Sequence, residues 1–276
     1  MLLPDLRKHQ SEALLFVVLT LCVPIARYLL QNILYLPIAR LVLVSAAQRR
    51  SGHVPAKVQR VVDKFCESFW KLSVYGTLLS LGVYALHDQP WLTDSVNFWR
   101  DWPVEALPPK VQVYYAAEGA FYAASVGMLL LWEERRRDFP VMMLHHLTTC
   151  VLIAASYCLG YARIGSVVML LHEPSDIFLE AAKLASYAGA EAPSTLLFAA
   201  LLLSWCSLRL GLLPFWVIRS ALFEVRTLSG PPLPYTDILA AMLGVLVVLH
   251  AYWFCLIAAI AWRKLSTTEL RDIRED

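Results

Sequence analysis

The sequence predicts an all-α, polytopic membrane protein with about seven transmembrane helices. Of its 276 residues, 58% are hydrophobic, and the mean hydropathy is +0.55. A soluble domain would be about 45–50% apolar. The excess lies in long runs that match the roughly 20 helical residues needed to cross a bilayer. These observations favour one membrane domain rather than several soluble ones.

The apolar runs are separated by polar loops and have different degrees of regularity. Pro24 and Arg27 interrupt the first run, and Pro174 lies within the fifth. Such breaks survive where the freed backbone faces protein or a cavity rather than lipid. The predicted spans are roughly 12–34, 66–87, 111–132, 140–160, 163–187, 195–218 and 236–262.

The loops differ in charge, which predicts the orientation of the chain. With seven spans, the first loop, the third loop and the C-terminal tail lie on one side, and all three are basic. The opposite loop, 88–110, is mainly acidic. Since cytoplasmic loops carry the excess of Lys and Arg, we expect a cytoplasmic C-terminus. The net charge of +2, without a basic domain, argues against nucleic acid as a partner.

Two neighbouring spans contain ionisable side chains. The fourth carries the pair His145-His146, and the fifth carries His172, Glu173 and Asp176. Each such group costs about 2.5 kcal/mol or more at membrane depth, so it rarely persists without a task. Adjacent helical residues diverge by about 100°, so the rings of the pair cannot act at one point. We therefore expect an enzyme or transporter whose site lies within the bilayer.

Polar neighbours of the histidines suggest how the rings are oriented. Thr149 is i+4 from His145 and i+3 from His146, so its hydroxyl could orient either ring. A carboxylate beside a histidine holds its tautomer, but the sequence does not settle which acid pairs with which ring. Adjacent histidines converge poorly on one ion, so no metal is expected. One polar stripe follows the returning helix: Glu173, Asp176, Glu180 and Lys183.

Less specific interpretations stay open for several of these residues. His172 and His250 could be helix-packing hydrogen-bond partners. Glu180 and Lys183 could form a simple i,i+3 ion pair. The run Arg135–Arg137 could be only a positive-inside anchor.

Several motifs resemble the ceramide synthase branch (sphingoid base N-acyltransferases) of the TRAM–LAG1–CLN8 (TLC) superfamily. The most specific is His145-His146-x-x-Thr149, followed by the acidic helix with Ser175-Asp176. One position departs from the family, which usually has Asp where this chain has Glu173. Further matching motifs are Arg137-Asp138-Phe139, Ser156-Tyr157 and Arg163-Ile164-Gly165.

The resemblance implies a TLC-domain bundle that encloses an intramembrane cavity. It divides the chain into an N-terminal span with a basic cytoplasmic loop (1–60), a catalytic membrane domain (61–266) and a charged cytoplasmic tail (267–276). The implied reaction is N-acylation of a sphingoid long-chain base by fatty acyl-CoA, which gives ceramide or dihydroceramide in the endoplasmic reticulum membrane. Acyl-CoA is then a co-substrate, no cofactor is needed, and a homodimer is plausible by resemblance only.

The resemblance also assigns roles to residues. His145 and His146 act as base or nucleophile, with Asp176 and Glu173 as orienting acids or amine ligands. Direct transfer and an acyl-histidine intermediate both remain open. The acyl chain would run toward the lumenal half between spans four to seven, and loop 219–235 would influence its length. By charge and side alone, Lys71, Arg137 and Lys183 are candidates to bind the CoA phosphates. The other expected substrate-binding residues are Thr149, Glu180, His172, Tyr157 and Arg163.

Three other functions compete with this interpretation. A non-catalytic lipid-binding or lipid-sensing TLC protein would not need the full set of histidines and acids. A zinc-dependent lipid amide hydrolase would use the cluster as metal ligands. A proton-coupled transporter would accumulate a solute without forming a new covalent product.

Overall fold

The computed structural model describes residues 10–103, 106–133, 136–228 and 233–267. Every regular element in these ranges is helical, which confirms the all-α prediction. The first rod runs through α1 (Gln10–Leu30), a π-helical turn (Gln31–Tyr35) and α2 (Leu36–Leu43). The other elements are α3 (Ala46–Ser51), α4 (Ala56–Leu86), α5 (Pro109–Leu131), α6 (Phe139–Cys158), α7 (Ala162–Tyr187), α8 (Glu191–Ser204), α9 (Val225–Leu228) and α10 (Thr236–Thr267).

Four helical segments of the described chain are long and apolar enough to cross a membrane. They are 11–43, 139–158, 191–228 and 236–264. The polytopic class is therefore confirmed, whereas the number of seven spans stays a prediction. The helices α4, α5 and α7 also match predicted spans in position, and each of them contributes buried residues to the main core.

Two predicted boundaries are corrected by the structure. The first rod continues to Leu43, beyond the predicted end at 34. The sixth predicted span does not end at 218. Its helix continues through π-helical turns at Trp205–Ile218 and Ser220–Glu224 into α9. Most of the predicted 219–235 loop is thus helical up to Leu228. Residues 229–232 and the tail from 268 lie outside the described residues.

The core joins α4, α5, α6 and α7 by close helix packing. Gly165 on α7 lies against α5 and α6, where an added side chain would overlap the Tyr115 hydroxyl and lie 2.8 Å from Ser156 Oγ. Tyr115 donates a hydrogen bond to the Ala162 carbonyl at 3.0 Å. A glycine at 165 therefore lets three helices meet at van der Waals distance, as close packing of interiors requires.

One end of the bundle is covered by the aromatic cap, which we define as residues 88–103. It contains two short 3₁₀ turns, Pro90–Leu92 and Ser95–Phe98. The indole of Trp91 donates to Ser166 Oγ at 3.2 Å, and that of Trp99 donates to Ser220 Oγ at 2.7 Å. The cap is thus fastened to two separate helical segments.

Candidate active site

The histidine pair lies near the start of α6, which begins after Asp138 with Pro140 in its first turn. A proline fits there because the first helical N–H groups have no intrahelical partner. The ring centroids of His145 and His146 are 5.6 Å apart, and the Tyr122 ring lies 6.3 and 5.7 Å from them. Their Nδ1 atoms have no hydrogen-bond partner within the described residues. Both rings therefore have a buried nitrogen whose hydrogen-bonding capacity is not used within the described residues.

Further rings extend the cluster from His145 into the bundle. The His250 ring lies 5.8 Å from that of His145 and 4.8 Å from that of His172. Trp253 packs 5.4 Å from His145, and its indole donates to Asp138 Oδ2 at 3.0 Å. This bond ties α10 to the start of α6, so it fixes the helix that carries the histidine pair.

The first cavity, which we call the charged cavity, has a volume of about 300 Å³. His145, His146 and Asp176 line it, together with apolar side chains such as Leu179 and Phe198. Its charged rim is defined by Glu67, Lys71, Glu133, Arg136, Glu180 and Lys183.

Oppositely charged side chains alternate around the charged rim. Lys71 Nζ lies 2.8 Å from Glu67 and 2.9 Å from Glu133, which is also 3.0 Å from Arg27. Lys183 pairs with Glu180 at 2.9 Å. Burial raises the pKa of Glu133, but Lys71 and Arg27 outweigh burial and hold this pKa below its ordinary value. The rim thus carries several cations whose charge is balanced by glutamates.

The acid on the cavity wall binds an arginine rather than a histidine. Arg209 lies 2.7 Å from Asp176 Oδ2, and it donates to the His172 carbonyl at 2.7 Å. Its guanidinium lies 4.1 Å above the ring of Trp205. Within the described residues, Asp176 has no hydrogen bond to a histidine ring. The acid therefore holds the arginine at the floor of the charged cavity.

The second cavity, which we call the apolar chamber, has a volume of about 60 Å³. His145 and Tyr122 line both cavities and stand between them. His172 and Thr149 also line the chamber, but the rest of its wall is mainly aliphatic, with Leu152, Ile153, Val168, Leu239, Leu243 and Leu246. A cavity with a charged rim and a mainly aliphatic chamber therefore meet at one histidine.

Most of this chain matches one family of known proteins. The family model described as the TLC domain, of TRAM, LAG1 and CLN8 proteins, matches residues 64–259. The chain belongs to the TLC-domain family. The match includes the histidine pair, the aromatic cap, the whole lining of the apolar chamber and that of the charged cavity except Ile260.

Relatives of this TLC protein are similar over most of its length. "ASC1-like protein" from Solanum lycopersicum is 38% identical over 92% of this chain and 87% of its own. "Ceramide synthase LOH2" from Arabidopsis thaliana is 35% identical over 82% of this chain and 80% of its own. Human "Ceramide synthase 5" is 36% identical over 78% of this chain and 55% of its own. The chain therefore belongs to the branch of the TLC family that contains ceramide synthases.

The TLC fold brings most of the predicted site residues together. The charged cavity is lined by His145, His146, Asp176, Lys71, Glu180 and Lys183, and the apolar chamber by His145, His172 and Thr149. The Thr149 hydroxyl has no hydrogen-bond partner within the described residues, so it orients neither ring there. The glutamate and lysine at 180 and 183 do form the expected ion pair, while also facing the cavity.

Four predicted site residues line neither cavity. Glu173 is buried and accepts a hydrogen bond from Tyr114 at 3.2 Å. Arg137 is exposed beside the start of α6. The Tyr157 ring packs 5.4 Å from that of Tyr115. Arg163 on α7 contacts the aromatic cap, because it donates to the carbonyls of Asn97 and Arg100 at 2.9 and 2.6 Å.

The sequence interpretation missed the partner of Asp176, although a signal was present. Arg209 interrupts an apolar run, and the cost of a charge at membrane depth that singled out the histidines applies to it equally. It is buried within the π-helical turns of Trp205–Ile218, which a sequence pattern of α-helical period does not predict. Tyr122 and Trp253 gave no comparable signal, because aromatic residues are common in every span.

Proposed function

We propose that this protein is a ceramide synthase that transfers a fatty acyl group from acyl-CoA to the amine of a sphingoid base. The observation that carries the proposal is the position of His145 between a charged cavity and an apolar chamber. Acyl-CoA has the same division, with a polar anionic end, an apolar chain and a thioester between them. The relatives named ceramide synthases support the same enzyme class, an N-acyltransferase.

The charged cavity would hold the CoA portion and the amine. The phosphates of CoA are anionic, and Lys71, Arg136 and Lys183 line the rim. Since glutamates already balance these cations, phosphate binding would exchange one anionic partner for another. Asp176, anchored by Arg209, would attract the ammonium of the sphingoid base. The aliphatic chamber on the other side of His145 would receive the acyl chain.

Acyl transfer at this site requires movement of a proton as well as of the acyl group. The sphingoid ammonium releases one proton to water to become the nucleophilic amine, and attack of the amine on the thioester carbon breaks the C–S bond. A ring nitrogen of His145 or His146 takes a proton from the nitrogen and returns it to the leaving thiolate, which departs as CoA thiol. In the alternative route, a neutral ring attacks first, and the acyl-imidazole then reacts with the amine. Both routes use the same two rings.

The proposal also includes the place of the protein in the cell. The apolar helices make it a multi-pass membrane protein, and relatives named ceramide synthases favour the endoplasmic reticulum membrane. A cytoplasmic C-terminus would put the charged rim toward cytosolic acyl-CoA. Neither a cofactor nor a nucleic acid takes part, and a homodimer remains part of the proposal.

The test is lipid mass spectrometry on membranes that contain the full chain. They receive a sphingoid base and a panel of acyl-CoAs, in parallel with His145→Ala, His146→Ala and the control His87→Ala, which alters an exposed histidine outside the site. We expect N-acyl sphingoid products from the unaltered chain and the control, with strong losses for both site variants. Folded protein that makes no product across the panel would overturn the proposal and favour the lipid-binding alternative.

A further inference from the structure

The apolar chamber has a defined direction along the bundle. On α6 its wall runs from His145 past Leu152 to Ser156, and on α7 from His172 back to Ile164. Eleven helical residues at 1.5 Å each give a length of about 16 Å, roughly half of a 30 Å hydrocarbon core. The chamber is therefore a narrow channel whose far end lies well away from the reacting histidine.

An aromatic wall closes that far end. Trp99 and Tyr161 line the chamber there, together with Thr236. The indole of Trp99 is buried, and its ring lies 6.4 Å from that of Tyr161. The other end is bounded by the histidine and tyrosine that separate the two cavities. A chain that enters past His145 thus meets the Trp99 indole as its end wall.

Two hydrogen bonds fix the position of this wall. Trp99 Nε1 donates to Ser220 Oγ at 2.7 Å, and four residues earlier Ser95 Oγ donates to Glu224 Oε2 at 2.6 Å. Both acceptors belong to the π-helical segment that also places Ala221 in the chamber wall. The aromatic cap and this π-helical segment are therefore hydrogen-bonded to each other at the closed end of the chamber.

We propose, building on the proposed function, that Trp99 determines acyl-chain specificity by closing the apolar chamber and limiting the length of fatty chain that fits. The chamber holds only about 60 Å³, so the position of its end wall decides how much chain is accommodated. A fatty chain longer than the chamber would fit only if the close-packed aromatic cap shifted. Ala221 acts with Trp99, because any larger side chain there would narrow the same end.

Trp91, which also lies in the aromatic cap, provides a matched control for Trp99. Trp91 is as buried as Trp99, lies in the same cap and also gives its indole N–H to a serine. It does not line the apolar chamber. A change at Trp91 therefore reproduces the loss of bulk and of the hydrogen bond without moving the end wall.

The test measures product chain lengths from membranes that contain the full chain, given a sphingoid base and an equimolar ladder of saturated acyl-CoAs. We expect Trp99→Ala to shift the preferred acyl length upward by two or more carbons, with Trp91→Ala keeping the original distribution. Ala221→Leu should shift it downward. Thermal melting in detergent checks that each variant is folded.

The outcomes separate this inference from the proposed function. Active Trp99→Ala protein with an unchanged distribution, or an equal shift in Trp91→Ala, overturns the specificity role and leaves the transferase intact. If Trp99→Ala does not fold, Ala221→Leu decides, because an active variant without a downward shift overturns the inference. Absence of product from the unaltered, folded chain overturns the proposed function itself.

Discussion

The charged cavity and the apolar chamber are built on the same helices but are stabilised in different ways. The cavity depends on ion pairs between distant elements, such as Arg27 with Glu133 and Arg209 with Asp176. The chamber depends on aliphatic packing and on the aromatic cap. Among the residues that the structure describes, only His145 and Tyr122 line both cavities. One helical bundle can therefore hold the polar half and the apolar half of a substrate in separate cavities on either side of one reacting histidine.

The largest effect is expected at His145, because this residue lines both the charged cavity and the apolar chamber. We expect His145→Ala to lower the rate of N-acylation by at least about 10²-fold, the usual contribution of an acid–base group. Rates are measured with purified protein at saturating acyl-CoA. Retention of near-normal activity would show that the two cavities do not serve one reaction at this ring.

The next largest effect is expected at the arginine on the cavity floor. Arg209→Met leaves Asp176 without its cation, and loss of one member of a buried pair typically costs about 3–5 kcal/mol. We expect a large fall in thermal stability and in activity. The double variant Arg209→Met with Asp176→Leu should recover stability but not activity, and recovery of both would contradict a role for the acid in binding the amine.

A larger side chain in the wall of the apolar chamber should lower turnover by an amount that depends on the length of the acyl chain. Leu246→Phe adds bulk to the wall of the apolar chamber, so we expect long acyl-CoAs to lose far more turnover than short ones. The comparison of kcat/KM along an acyl-CoA ladder measures this. An equal loss for all lengths would mean that the chain does not enter the apolar chamber.

A smaller effect is expected at the charged rim. Since the pKa of Glu133 lies below its ordinary value, its carboxylate contributes stability above the unfolded-state pKa of about 4.3 and loses it as the pH falls. The melting temperature of Glu133→Gln should therefore differ most from the unaltered chain near pH 7. The two curves should converge in acid, and a constant difference would contradict the ion-pair account.

The smallest effect is expected at the position that departs from the family. Glu173→Asp shortens a buried side chain by one methylene, a change worth about 1 kcal/mol. Because Glu173 lines neither cavity, we expect the turnover rate to stay within about fivefold. A change beyond about 100-fold would place this acid in the reaction despite its separation from the cavities.

Much of the fold could be predicted from the sequence because a bilayer imposes one simple length rule. The start of the fourth span at 140 agrees with α6, and the break at Arg27 is explained by its contact with Glu133. The histidine pair was found because charge is costly in apolar segments. The Lys71–Glu133 contact joins residues 62 positions apart, and no local pattern encodes it. The chamber's end wall also depends on tertiary contacts between the cap and the segment at 220.

The most direct test of the central claim is photocrosslinking with an acyl-CoA that carries a diazirine at the end of its fatty chain. Peptide mass spectrometry then identifies the labelled helix positions. We expect labels near the closed end of the apolar chamber, at Trp99, Ala221 or Leu239, that disappear with excess unlabelled acyl-CoA. Labels confined to the charged cavity, at Phe198 or Ile260, would contradict the division of the substrate at His145.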